Sequence, residues 1–326
     1  MADNETPKEV SGFEQVFPAL GTLVRLKAYH HDEQLVAKAF GAVESEVQRL
    51  EQILSDYNPN SETRKLTNSA LHQPTSVSDE LWAVLQASER WHQLSNGTFD
   101  SSLGALTRLW RKYRRVKRVP APADVQEAFE HCGWSHVKLL EGQRIEFLEE
   151  QIYLDFGAIG KGYIVDKAFT TLAEHGLKSV LIDISGNMRC GDPPPSRPGW
   201  LVAVSALEKG GKPLRIISLS NKAIATSGDL WQYQVIEGVR RSHILDPRTG
   251  WGVEGPIAAT VVCDSAINAD AAATVGCIAS TEFSQQIVDS LGGEILVASR
   301  DASGELNELS SAGFPKSTAE PPKEPE

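Results

Sequence analysis

Three stretches of this 326-residue sequence carry side chains whose types and spacing suit chemistry. The first is Asp155-Phe156-Gly157-Ala158-Ile159-Gly160-Lys161-Gly162-Tyr163, placed after an apolar run and before a helical pattern. Glycines let a ligand approach the backbone closely, N–H groups at a helix start favour anions, and Lys161 adds a point charge. A phosphate-bearing ligand is the natural expectation. The stretch is not a P-loop, because Asp155 occupies the place of the first glycine and Gly162 that of the Ser or Thr; nor is it G-x-G-x-x-G. A tight strand-to-helix turn with a surface lysine accounts for the same residues. The second stretch is Asn268-Ala269-Asp270-Ala271-Ala272-Ala273-Thr274, where Asp270 and Thr274 stand four apart on one helical face. An acid buried in so small and apolar a helix needs compensation, which a cation supplies. A carboxylate with a hydroxyl is hard-oxygen chemistry, suited to Mg²⁺ or Ca²⁺ rather than zinc. A capped or solvated aspartate is the plainer alternative. The third stretch joins Ala225-Thr226-Ser227-Gly228-Asp229 to Ser242-His243-Ile244-Leu245-Asp246-Pro247-Arg248-Thr249-Gly250, whose second half has turn chemistry. His243 falls in a strand just before that turn. A neutral imidazole there acts as a general base near pH 7, or serves structure alone.

Secondary structure has to bring these stretches together. Residues 23–29 alternate Val24, Leu26 and Ala28 against Arg25 and Lys27, a half-buried strand. Over residues 33–54, Val36, Phe40, Val43, Val47, Leu50 and Leu54 recur at spacings of four and three, one face of a long amphipathic helix. A second helix spans about 79–94, capped by Ser78 and stopped at Ser95-Asn96-Gly97. Residues 144–154, 179–183, 201–205, 258–263 and 294–299 read as strands, and residues near 162–175, 265–280 and 282–291 as helices. The elements interleave without a regular βαβ rhythm, so the expected class is α+β with mixed or antiparallel sheets. Residues 1–12 and the Pro/Glu-rich residues 315–326 read as a polar and a disordered tail around one domain, 13–314.

Composition narrows the function classes. With 32 basic against 43 acidic residues the net charge is −11, and the longest basic stretch is 111–118, which argues against a nucleic-acid or anionic-membrane binder. Cys132, Cys190, Cys263 and Cys277 form no CxxC and no dense framework, so neither a zinc site nor a disulfide scaffold is expected. No apolar run approaches the ~18–20 residues of a membrane span. The start MADNETPKEV is acidic and unlike a signal peptide, so the cytoplasm is expected for the chain as written; a removed leader would instead mean the periplasm or an envelope anchor.

Taken in order, the segments resemble the ApbE family of FAD:protein FMN transferases, long called thiamine biosynthesis lipoproteins. The likeness runs through Leu20-Gly21-Thr22, Ser55-Asp56-Tyr57, Ser95-Asn96-Gly97-Thr98-Phe99-Asp100, Asp155–Tyr163, Asp183–Asn187, Thr226–Asp229, His243–Gly250 and Asp270–Thr274. The resemblance implies an ApbE-like fold with FAD in a cleft between subdomains. It also implies Mg²⁺-dependent cleavage of FAD, release of AMP, and joining of FMN to a Thr or Ser hydroxyl of an acceptor flavoprotein. Ala158 (through its carbonyl), Asp270 and Thr274 correspond to the magnesium ligands, and Asp270 counts with His243 as catalytic. Leu20, Tyr57, Thr98, Phe99, Asp100, Asp155, Lys161 and Leu245 correspond to FAD contacts, and His243 to the base acting on the acceptor hydroxyl. Alternatives on the same site are an FAD pyrophosphatase yielding AMP and FMN, or a flavin-binding protein without turnover. Departures from the family pattern are Leu20 for Met, Ser102 for Thr, Ser185 for Gly, Ala273 where some members have a further Asp, and no lipobox-like cysteine near the start.

Overall fold

The computed structural model describes residues 10–301 and 303–318. It opens with the hairpin β1 (Ser11–Ala19) and β2 (Thr22–His30), then α1 (Glu33–Leu54), α2 (Glu62–Ser69), the short β3 (Thr75–Ser76), α3 (Asp79–Leu94), α4 (Gly104–Arg115) and α5 (Pro122–Glu130). Strands β4 (Val137–Leu140) and β5 (Arg144–Phe147) lead to α6 (Gly160–Glu174). Next come β6 (Val180–Ile184), β7 (Asn187–Cys190), β8 (Trp200–Val204), β9 (Arg215–Leu219) and β10 (Lys222–Gly228). The chain finishes with β11 (Tyr233–Ile236), β12 (Val239–Leu245), β13 (Gly252–Glu254), β14 (Ile257–Cys263), α7 (Ala266–Ile278), α8 (Thr281–Ser290), β15 (Glu294–Arg300) and β16 (Leu306–Ser310).

Eight strands form one sheet in the order β1-β2-β6-β7-β10-β14-β15-β16, and every neighbouring pair is antiparallel. Smaller sheets are β11-β12-β13, β3-β5-β4 and β8-β9. The class is α+β. Helix α1 exists because its apolar residues return every three or four positions; Val36, Phe40, Val43, Val47 and Leu50 are all buried, and Asp32 caps its start through Leu35 N–H. Helix α7 is alanine-rich and buried almost all round, so it packs close to β10, β14 and α6.

The crossing of α6 and α7 places the second chemical stretch against the first. Gly162 has no room for a side chain: a Cβ there would lie 2.3 Å from the Ala266 carbonyl oxygen. Two carboxylates then tie the helices reciprocally. Asp166 on α6 accepts from Ala266 N–H (2.9 Å) and Ile267 N–H (3.0 Å), capping α7. Asp270 on α7 accepts from Gly162 N–H at 3.0 Å. Gly162→Ala is therefore expected to destabilise the fold by about 3 kcal/mol, the upper end for overpacking. Urea unfolding should show it as a lowered midpoint, and an unchanged midpoint would mean the helices separate without cost.

Some boundaries differ from the sequence reading. The strand expected over 144–154 ends at Phe147, because residues 148–151 turn, with Gln151 at φ 60°. Ile152 and Leu154 are still buried, but this extended run is held by Gly104 N–H to Tyr153 O (3.0 Å) and Asp155 N–H to Ser101 O (2.8 Å) instead of a sheet. Alternating burial reports the side chains, not the ladder. At the ends, Ser11 and Gly12 already pair with His30 and Tyr29, and Thr318 N–H donates to Ile216 O at 2.7 Å. The order of the chain thus reaches a few residues into both segments read as tails; residues 1–9 and 319–326 lie outside the described residues.

Candidate functional site

Asp270 is the centre of the site. Its side chain is 4% exposed, and burial pushes its pKa up, an effect opposed by Lys161, by Gly162 N–H and by the Asn187 amide. Lys161 Nζ lies 3.9 Å from Asp270 Oδ1 and donates to Gly157 O at 2.7 Å, so the start of α6 folds its own lysine towards the acid. In an unbroken helix Gly162 N–H would donate to Ala158 O; here it goes to Asp270, which leaves the Ala158 carbonyl without its helical donor. One turn along α7, Thr274 Oγ1 donates to Asp270 O (3.2 Å) and lies 3.0 Å from Ser227 Oγ on β10. A buried carboxylate, a freed carbonyl and a hydroxyl fit a hard divalent cation that keeps other positions for water or phosphate. Among the described residues no group of three or more His, Cys, Asp and Glu side chains is arranged to hold a metal, so an ion here depends on Asp270 and neutral oxygens.

A second cluster flanks the first. Arg111 on α4 bonds Asp56 through one nitrogen and Asp155 Oδ2 through the other at 2.8 Å, and its guanidinium sits 4.2 Å from the centre of the Tyr57 ring. Asp155 Oδ1 also accepts from Gly157 N–H at 2.8 Å, which links this cluster to the glycine-rich turn. Burial, then the neighbouring Asp155, raises the Asp56 pKa, with Arg111 opposing both. Tyr57 remains 65% exposed, a ring backed by a cation and open to solvent.

His243 faces the same region from β12. The strand pairing shifts register between Arg241 and Leu245, an irregularity that re-aims side chains: His243 is exposed while Ile244 and Leu245 are buried. Solvent reaches the imidazole, yet the neighbouring protein desolvates much of it. That environment, with help from Arg114 and Lys161, pushes its pKa down to about 4. Nδ1 lies 3.2 Å from Gln232 O. A carbonyl only accepts, so Nδ1 carries the proton and Nε2 holds the basic lone pair.

The other expected contacts separate into two kinds. Asp100 is engaged within the protein: Oδ1 accepts from Ser102 N–H (2.7 Å) and Ser102 Oγ (2.5 Å), and Oδ2 from Trp134 N–H (3.2 Å). Ser102 Oγ in turn accepts from Gly133 N–H at 3.0 Å, so the serine hydroxyl links Asp100 to the Gly133 backbone. Thr98 is buried, and Phe99 packs at 2% exposure beside Trp91, with its N–H donating to Ser95 Oγ at 2.8 Å and its carbonyl 3.1 Å from His92 Nδ1. Leu245 belongs to a small core with Leu106 and Trp110 of α4, where it supports the helix that carries Arg111. Leu20 shares the β1–β2 turn with Gly21, both left-handed (φ 56° and 68°), a costly conformation for a leucine. Arg111, Arg114, Asn187 and Ser227 are absent from the expected contacts: Asn187 and Ser227 lie inside segments that carry the resemblance but received no role of their own, and Arg111 and Arg114 read only as part of a basic stretch.

The fold and these clusters define a class: an α+β protein with a buried carboxylate among neutral oxygens beside a lysine, an open aromatic ring and a histidine, a set of groups suited to a phosphate ester. Comparison with known proteins gives the family. A sequence model of the ApbE family matches residues 20–297, and the chain belongs to that family. An FAD:protein FMN transferase of Chlamydia trachomatis serovar D is 30% identical over 264 residues, covering 78% of this chain and 80% of the relative. One from Treponema pallidum is 29% identical over 274 residues, with 78% and 75% covered. The crystal structure of Pseudomonas stutzeri flavinyl transferase ApbE, apo form, superposes with a TM-score of 0.81 at 26% identity, over 94% of this chain and 96% of that one.

Proposed function

We propose that this chain, an enzyme of the ApbE family, transfers FMN from FAD to a Thr or Ser hydroxyl of an acceptor flavoprotein with Mg²⁺ and releases AMP. The observation that carries the reading is the buried Asp270, its charge met only in part by Lys161 at 3.9 Å, beside the freed Ala158 carbonyl and Thr274. Asp270, Thr274 and Ala158 would hold the ion, and bound Mg²⁺ would neutralise charge on the phosphate oxygens. Lys161 adds positive charge at the same place. Tyr57, backed by Arg111, offers a flat face for the flavin ring. His243 Nε2 takes the proton of the acceptor hydroxyl as its oxygen bonds to the FMN phosphorus; the anhydride bond to the AMP half breaks, and AMP leaves with that electron pair. The test is intact-mass measurement of an acceptor incubated with enzyme, FAD and Mg²⁺, beside an acceptor whose target hydroxyl is removed. Labelling of the first alone supports the reading; AMP release with both acceptors unlabelled means a pyrophosphatase, and no AMP a binding protein.

The lowered pKa of His243 sets a pH prediction. A base whose pKa falls to about 4 stays neutral and able to accept a proton above that value, and loses this only as the pH drops through it. The kcat/KM for FAD in transfer should therefore show no His243-dependent fall between pH 8 and 6.5, where an ordinary histidine of pKa ~6.5 would be half protonated. A half-loss at pH 6.5 that traces to His243 would contradict the environment described.

A further inference from the structure

Asn187 opens β7 after a turn in which Ser185 (φ 54°) and Gly186 (φ 87°) are both left-handed. The turn is pinned twice: Gly186 N–H donates to Asp183 Oδ1 at 2.8 Å, and Ser185 Oγ lies 2.7 Å from Thr22 Oγ1. This holds the Asn187 side chain, 2% exposed, against Asp270. A carboxylate only accepts, so the amide NH₂ is the end turned to Asp270 and Oδ1 is the end left over. Oδ1 is buried and meets no donor among the described residues. An orphaned acceptor of this kind costs about 1–3 kcal/mol, so its retention beside a buried acid calls for a partner that the protein's own donors do not supply.

We infer that Asn187 Oδ1 belongs to the coordination sphere of the divalent cation proposed for Asp270, Thr274 and Ala158, reached directly or through one bound water. The inference rests on that metal reading. Amide oxygens are ordinary ligands of hard cations, and a neutral one adds coordination without a second negative charge facing the phosphates. One residue then does two things. Its NH₂ steadies the Asp270 carboxylate, and its oxygen completes the ion's surroundings.

The test is Mn²⁺ binding, followed by electron paramagnetic resonance at pH 8 without FAD, to the full chain and to Asn187→Ala, Asn187→Asp and Asp270→Ala, with folding checked by circular dichroism. Asn187→Ala should weaken binding by about 10–100-fold, the usual cost of losing such a partner. Asn187→Asp should bind at least as tightly as the parent, because a charged oxygen then stands where Oδ1 was. That comparison decides the matter even if the alanine variant does not fold. Parent-like binding by Asn187→Ala would overturn the inference. So would weakened binding by Asn187→Asp, which would leave only the NH₂ contact to Asp270. In both cases the metal reading survives as long as Asp270→Ala loses the ion. If Asp270→Ala binds like the parent, or the parent binds no Mn²⁺, the metal reading itself fails and the inference with it.

Discussion

Replacing Asp270 by Ala is expected to lower Mg²⁺-dependent AMP release and flavin transfer by on the order of 10³-fold, while the protein stays folded. Asp270 is the single carboxylate among the assigned ligands, so its loss removes the charged anchor of the ion and with it several kcal/mol of transition-state stabilisation. Stability should move differently from activity. Burial raises the Asp270 pKa, so without metal its charged form weighs against the fold at neutral pH. Asp270→Asn, which keeps an oxygen for Gly162 N–H, should therefore melt no lower than the parent in chelator. Mg²⁺ should raise the Tm of the parent and leave that of the variant where it is. Full AMP release by Asp270→Ala would put the ion elsewhere.

His243→Ala should slow transfer by about 10²–10⁴-fold and leave FAD affinity nearly unchanged, because a general base acts in the transition state and not in ground-state binding. Nδ1 is tied to Gln232 O, which aims Nε2 as the free basic atom, and the strand irregularity keeps the ring accessible. Hydrolysis of FAD to AMP and FMN is expected to survive in part, since water needs less positioning than an acceptor side chain. Single-turnover transfer beside FAD titration separates these effects. A loss explained wholly by weaker FAD binding would make His243 structural.

What the sequence revealed of the site was what is local. The glycine-rich turn with Lys161, and Asp270 four residues before Thr274, are patterns within one turn or one helix, and the structure brings Lys161 and Asp270 together across the α6–α7 crossing. Arg111 was not legible as a site residue, because its meaning lies in partners 55 and 44 positions away, Asp56 and Asp155, and α4 reads in isolation as a basic stretch. Asn187 was hidden for a similar reason: its importance depends on an oxygen left without a donor, which no spacing shows. The pattern of the strands was clear where one face is buried, as in β2, but β2 pairs with β6 far along the chain, and periodicity carries no such pairing. The resemblance placed Phe99 in the site without saying which of its atoms faces a ligand; its ring lies in the core.

The central claim is that this site moves FMN onto a protein hydroxyl, and the direct measurement is the ratio of AMP released to FMN bound. A purified acceptor is incubated with the chain, FAD and Mg²⁺; AMP is counted by chromatography and acceptor-bound FMN by intact mass, with a chelator control. The account predicts one FMN on the acceptor for each AMP released, surviving denaturation, with both products absent in chelator. AMP released in excess while the acceptor mass stays unchanged, or equal labelling in chelator, would contradict it.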